Sequence, residues 1–278
     1  MTTETDQGTT EAQYEEHFCA FIDFLGFSEA STELDEATRI KVLRLLLSIA
    51  SLRSDFSSSV VEREGGAKSY HATPAISTFS DHIVISYALQ PLAAQAPADQ
   101  DLPALIVMSQ FQRLVTAIAV EALRIGFLVR GGATIGKLYH TRGVVFGEAM
   151  IEAVALEART AVYPRMVLSH RTTQRPGWTD KFHGLYAVRD DDGIYCLDYL
   201  KMLLLQSAPP GDSYWAGVQA WFDVVVPIID RNLEDLERNG RLNEFAKWRW
   251  FAKKFRGALE KTPPEMLKPA GVSIPQNW

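Results

Sequence analysis

The sequence predicts an α+β domain of the ferredoxin-like kind, and three observations carry that reading. Between Phe18 and Leu168, short apolar runs of strand length alternate with stretches of helical spacing in the order strand, helix, strand, strand, helix, strand. A tight reversal at Ser80-Asp81 joins two of the runs as an antiparallel hairpin. At 278 residues and 47% hydrophobic, the chain can bury a sizeable core.

The elements follow in order. Residues 1–14 are polar and threonine-rich and read as a disordered tail. Phe18 to Phe24 is an apolar strand, turned at Gly26. Ala37 to Ser51 carries Ile40, Leu43, Leu46, Leu47 and Ala50 at helical spacing, after which Ser57-Ser58-Ser59 and Gly65-Gly66 break the pattern. Ala75 to Tyr87 forms the hairpin, Pro91 to Leu102 reads as a loop, and Leu105 to Ile125 is an amphipathic helix closed by Gly126. Phe127 to Leu138 is a strand interrupted by Gly131-Gly132 and Gly136, and Val144 to Phe146 is a short strand. Gly147 opens a helix to about Ala161, and Pro164 to Leu168 closes the core as a strand. The core domain is thus placed at 15–170, with an antiparallel sheet, helices on one face, and the other face or an edge open to a partner. The remainder, 171–278, is an extension. A hairpin turns around Asp190-Asp191-Asp192-Gly193, and two helices, Trp215 to Arg238 and Leu242 to Leu259, follow. Trp221, Phe222, Val225 and Ile229 line the first, and Phe245, Trp248, Phe251 and Phe255 the second, at the spacing of packing faces.

Charge and composition exclude several function classes. A formal net charge of −6 argues against general nucleic-acid binding. No apolar run approaches the ~20 residues of a membrane span, and no signal core precedes the first strand, so a cytoplasmic location is expected. Cys19 and Cys196 lie in apolar stretches and read as small buried hydrophobes. The six histidines show no zinc-type spacing, so a histidine metal site is not expected. No nucleophile elbow, Walker loop or dinucleotide fingerprint occurs.

The chemistry-bearing signal is a pair of aspartates inside apolar strands: Asp23 in Phe21-Ile22-Asp23-Phe24-Leu25-Gly26-Phe27-Ser28, and Asp81 in Thr78-Phe79-Ser80-Asp81-His82. A carboxylate in such a run is costly unless it is hydrogen-bonded or binds a cation. Taken singly, Asp81 is also good turn chemistry and Asp23 a good cap for a following helix. Side by side they would hold divalent cations, with amides near Gly26, Phe27 and Ser28 turned to an anion. That is apparatus for a nucleoside triphosphate.

These residues carry a resemblance. Phe21-x-Asp23-Phe24-x-Gly26-Phe27-Ser28 resembles the opening motif of class III nucleotidyl cyclases, and Thr78-Phe79-Ser80-Asp81 their second metal aspartate at a hairpin. Arg130-Gly131-Gly132-Ala133-Thr134-Ile135-Gly136 is similar to their Arg-x-Gly-x-x-x-Gly strand, and Gly147-Glu148 with Leu156-Glu157-Ala158 to their glycine-opened helix. The resemblance covers about Phe18 to Leu168. It implies two Mn²⁺ or Mg²⁺ ions on Asp23, Asp81 and the Phe24 carbonyl, and a nucleotide held by Phe21, Phe24, Gly26, Phe27, Ser28 and Ser77. It also implies a homodimer with active sites at the interface.

The departures sharpen this. The purine-reading lysine aligns with Ser77 and the purine-reading aspartate with Val144, while the ribose-orienting asparagine and transition-state arginine align with Ile151 and Ala155. Retained metal aspartates without purine readers resemble the pyrimidine cyclases of bacterial antiphage defence, the Pycsar type; Tyr163-Pro164-Arg165 also fits that group. The resemblance then implies synthesis of a cyclic pyrimidine monophosphate from UTP or CTP that activates a paired effector. Between UTP and CTP the residues leave the choice open; the family favours UTP. Arg130 is the first candidate for phosphate contact, followed by Lys137, Arg142, Arg159 and Arg165. Glu148 and Glu152 share a helix face and could touch ribose or base, although a first-turn glutamate is already favoured by the helix dipole. Tyr70, Ser77 and Thr78 offer polar groups where a base edge could lie. A cyclase-fold module that binds nucleotide without turnover is the competing reading.

Overall fold

Strand β1 (Glu15–Leu25) is the spine of the molecule. A computed structural model describes residues 14–27, 36–51, 58–63, 66–99, 101–141, 144–175, 178, 185–200, 212–262, 267, 271, 273 and 275–278. Most of the N-terminal tail, Ser28 and Arg142 lie outside these residues. After β1 come α1 (Glu36–Ser51), β2 (Ser58–Arg63), β3 (Gly66–His71), β4 (Ala75–Phe79), β5 (His82–Ala88), α2 (Leu89–Gln95) and α3 (Leu102–Arg124). Then follow β6 (Leu128–Thr141), β7 (Val144–Phe146), α4 (Glu148–Arg159), β8 (Met166–Leu168), α5 (His170–Gln174), β9 (Ala187–Arg189), β10 (Tyr195–Leu197), α6 (Asp212–Arg238) and α7 (Leu242–Lys261).

The main sheet runs β4-β5-β1-β6-β8-β10-β9, with β7 folded back on β6. β1 pairs antiparallel with both β5 and β6, and β4 pairs antiparallel with β5. The first four strands therefore realise the ferredoxin-like order, with α1 and α3 as the two crossovers. Even-numbered β1 side chains, Phe18, Ala20, Ile22 and Phe24, join α1, α2 and α3 in the principal core. Odd-numbered ones face the opposite way, where Cys19 and Phe21 meet Ala149 and Ala153 of α4. The helices expected on one face are thus joined by α4 on the other, over β6 and β1.

Several local readings change. The alanine- and proline-rich stretch at 91–102 is not all loop: Leu89 and Leu92 bury, and Pro91 falls in the first turn of α2, where no intrahelical N–H is required. Ser58, Ser59 and Gly66, read as breaks, stand instead in the antiparallel pair β2–β3. β6 is not interrupted by its glycines. They serve close packing, since a Cβ on Gly131 would strike the Phe21 carbonyl and the Met166 side chain, and one on Gly132 the α4 backbone. α3 is long and apolar enough to cross a membrane, contrary to the expectation from apolar runs, yet 67% of its most apolar stretch is buried inside the fold. The two cysteines are free and buried, and burial pushes both thiols up to about 12.

The hairpin β9–β10 extends the same sheet through β8, and α6 packs on α3 and α7. Trp221, Phe222 and Phe255 form a ring cluster, as their helical spacing suggested. An ionic knot fastens this region to the segment after α4. Arg165, 6% exposed, donates to Asp190 at 2.7 Å and to the Thr160 carbonyl, and pairs with Asp192 at 2.7 Å. Lys254 of α7 donates to Asp190 at 2.6 Å and Asp191 at 2.9 Å. Burial alone would raise the Asp190 carboxyl, but hydrogen bonds from Lys254, the Asp191 amide and Arg165 together hold it below its ordinary value. A carboxyl depressed on folding contributes stability above its unfolded pKa and loses it as pH falls through the folded one. Asp190→Asn is therefore expected to cost roughly 2–3 kcal/mol near neutrality, and the gap to the parent to shrink as pH falls below about 4, in urea melts across that range.

Candidate metal and nucleotide site

The pairing register assembles the site. Asp23 lies opposite His82 on β5 and Arg130 on β6, all on the face away from α3. The β4–β5 turn places Ser80 at a φ of 54°, unusual for a side-chain-bearing residue, and the turn is pinned to β1 by the Phe24 amide donating to the Asp81 carbonyl at 3.3 Å. Ligand atoms of Asp23, Asp81 and His82 come within 4.8 Å of one another. Asp23 is 7% exposed, a carboxylate whose burial requires partners.

Those partners are a guanidinium and an imidazole. Arg130 Nε donates to Asp23 Oδ2 at 2.9 Å, its Nη2 stands 2.6 Å from Glu157 Oε1, and its Nη1 reaches the Ala161 carbonyl. His82 Nδ1 lies 3.1 Å from Asp81 and its Nε2 3.7 Å from Asp23, while its ring packs in a three-ring cluster with Phe21 and Phe79, at centroid distances of 4.9 and 5.6 Å. Burial raises the Glu157 carboxyl above its ordinary value, with Arg130 opposing and Asp23 adding to the rise. Two carboxylates and an imidazole form a donor set that fits Mn²⁺ or Mg²⁺, the nitrogen suiting Mn²⁺ better.

His82 stands with Asp23 and Asp81 in this cluster, although the spacing of the histidines along the chain showed no sign of a metal site. Its signal was its place beside Asp81, since pairing puts it opposite Asp23. Glu157 also went unread as a site residue. Ala149, Ala153 and Glu157 are the buried positions of α4, one every four residues, so a carboxylate sits on a stripe of small apolar residues.

The other sequence candidates fall as follows. Phe21 is buried in the ring stack; Phe24 packs on the opposite face toward Phe127, and Phe27 is partly buried against the same ring. Gly26, at φ 88°, makes the turn after β1. Ser77 is hydrogen-bonded to His140 at 2.9 Å. Arg165 is committed to the Asp190 knot and so is withdrawn as a phosphate ligand. Arg159 is exposed at the end of α4, and the Lys137 amide donates to Glu148 Oε1 at 3.1 Å. Glu148 and Glu152 pair with Arg171, and the Lys137 amide, more than any other group, holds the Glu148 carboxyl low. Tyr70 packs against the core and Thr78 is half-buried. Val144 and Ile151 are 55% and 73% exposed, so neither departure from the purine pattern is buried away.

No protein-family model and no curated protein matches the sequence. Among solved structures, the chain is similar to the adenylyl cyclase CyaB from P. aeruginosa, at 16% identity and a TM-score of 0.44 over 66% of this chain and 94% of that one. It is similar also to the guanylyl cyclase domain of the RhoGC fusion protein from Blastocladiella emersonii, at 14% identity and a TM-score of 0.41 over 66% and 97%. A third is a class III adenylyl cyclase-like ATP-binding protein from Pseudomonas aeruginosa, at 17% identity and a TM-score of 0.38 over 66% and 39%. Likeness at these scores assigns neither activity nor substrate to this chain, which rest on its own residues.

Proposed function

We propose that the chain is a nucleotidyl cyclase that converts a pyrimidine nucleoside triphosphate, UTP ahead of CTP, into its 3′,5′-cyclic monophosphate and pyrophosphate. The observation that carries this reading is the convergence of Asp23, Asp81 and His82 beside Arg130. Asp23 and Asp81, with His82 and the Phe24 carbonyl, would hold Mn²⁺ or Mg²⁺. Bound there, the ions would lower the pKa of the attacking 3′-hydroxyl and neutralise the leaving pyrophosphate. Arg130, already beside Asp23, is placed to exchange that carboxylate for phosphate oxygens, with Glu157 keeping its guanidinium oriented. The turn at Gly26 and Phe27, with Ser28, would offer amides to the β- and γ-phosphates.

The pyrimidine assignment is supported by what stands at the purine-reading positions, a small hydroxyl at Ser77 and an exposed valine at Val144. Apolar side chains exposed around the start of α4, Val144, Phe146 and Ile151, support a homodimer. In the reading we adopt, the enzyme acts in the cytoplasm and its product is a messenger of antiphage defence for a paired effector. Two observations favour the rival, a nucleotide-binding module without turnover: Arg130 sits on the Asp23 carboxylate, and Ile151 and Ala155 supply no polar group.

Incubation with each of the four ribonucleoside triphosphates and Mn²⁺ separates the readings. Cyclic UMP as the main product is expected. Product chiefly from ATP or GTP removes the pyrimidine assignment, and nucleotide binding with no product from any of the four establishes the rival.

A further inference from the structure

Ser77, Ser86, Phe21 and His82 occupy one sheet face, because cross-strand partners share a face: Ser77 lies opposite Val84, Val84 opposite Phe21, and Ser86 opposite Cys19. Ser77 is thus two residues along β4 from Phe79, which pairs with His82 of the metal cluster. The end of β6 reaches across β1 so that His140 bridges two hydroxyls on this face. Its Nε2 is 2.9 Å from Ser77 Oγ and its Nδ1 is 2.8 Å from Ser86 Oγ.

The two serines differ in what surrounds them. Ser86 is 1% exposed, and His140 Nδ1 is the partner of its hydroxyl; Ser77 is half-buried and opens toward solvent. A buried hydroxyl must place its proton on an acceptor or lose about 1–3 kcal/mol. Ser86 therefore donates to Nδ1, which fixes the proton of the neutral ring on Nε2. Nε2–H donates to Ser77 Oγ. Ser77 then has its own proton left to present outward.

We infer that Ser86 and His140 set the hydrogen-bond polarity of Ser77, and through it the preference for uracil over cytosine. This rests on the cyclase reading, in which Ser77 meets the base edge. Uracil shows a carbonyl acceptor at C4 where cytosine shows an amine donor. An outward Ser77 proton matches the first and opposes the second. With cytosine, that proton must turn away to another acceptor, so one hydrogen bond is at stake. Its expected worth is about tenfold in affinity. In Ser86→Ala no Ser86 proton holds Nδ1 as an acceptor, so the constraint this pair places on the Nε2–H form is removed, and Ser77 can donate inward and accept from an amine.

The test uses the full chain and is read without turnover. Binding of the non-cleavable α,β-imido analogues of UTP and CTP is measured for the parent, Ser86→Ala, Ser77→Ala and Ser86→Thr. The parent is expected to favour the uridine analogue about tenfold. Both alanine variants should fall to about threefold or less, and the threonine variant should restore the preference. Nitrogen NMR of ¹⁵N-histidine protein, with His140 assigned by His140→Gln, should show the Nε2–H form in the parent and a mixture in Ser86→Ala. An Nδ1–H parent, equal affinities in the parent, or a Ser86→Ala protein that keeps the tenfold ratio overturns the inference. Absence of cyclic product with the binding ratio intact would defeat the cyclase reading and leave this one standing.

Discussion

Asp23→Ala is expected to lower cyclic-nucleotide synthesis by about a thousandfold or more while the chain still folds. The carboxylate serves both sides of the proposed chemistry, as a ligand and as the resting partner of Arg130. Loss of several kcal/mol of charge stabilisation at the reacting phosphate corresponds to three or more decades in rate. The fold tolerates the change because Arg130 keeps Glu157 and the Ala161 carbonyl, so no buried guanidinium is stranded. Turnover with UTP and Mn²⁺, beside a circular dichroism spectrum, checks both halves. Activity within tenfold of the parent would remove the metal mechanism.

Gly132→Ala is expected to destabilise the protein by about 3 kcal/mol, a large effect for the addition of one methyl group. Its Cβ would stand 2.5 Å from both the Ala153 carbonyl and Leu156 Cβ, and 2.9 Å from the Glu157 amide. These are atoms of α4 rather than ends of flexible side chains, so the helix itself has to lift from β6. Because Glu157 rides on that helix, Arg130 loses its second carboxylate as well. Chemical denaturation measures the loss, and a stability within 0.5 kcal/mol of the parent, on the order of a typical surface substitution, would contradict the packing described.

Much of the fold was legible because it follows from periodicity. The β1–α1–β4–β5–α3–β6 order rests on strands and helices whose apolar spacing differs plainly, and Ser80-Asp81 marks the reversal. The glycines of β6 were legible as glycines but not in their purpose, since a residue chosen for a neighbour's approach carries no local trace of that neighbour. Likewise the hairpin β2–β3 hid behind serines and glycines that ordinarily signal breaks. At the site, Asp23 and Asp81 announced themselves as charges in apolar strands. His82 and Glu157 did not, because their importance comes from register across strands and from a helix face set by tertiary packing. Arg165 shows the reverse: a cation in the right sequence neighbourhood whose partners, Asp190 and Asp192, arrive from a distant hairpin.

The two ends of the main sheet have a bearing on solubility. One closes on β4, five residues long, and the other on β9, only three residues long and followed at once by three aspartates. Extended backbone left unpaired at such a border invites a neighbouring molecule to dock strand against strand, and the brevity of both border strands shrinks that template, with the aspartates after β9 drawn inward onto Arg165 and Lys254. Stacking of copies into fibrils through these borders is accordingly disfavoured, even at concentrations where broad β-rich proteins begin to polymerise.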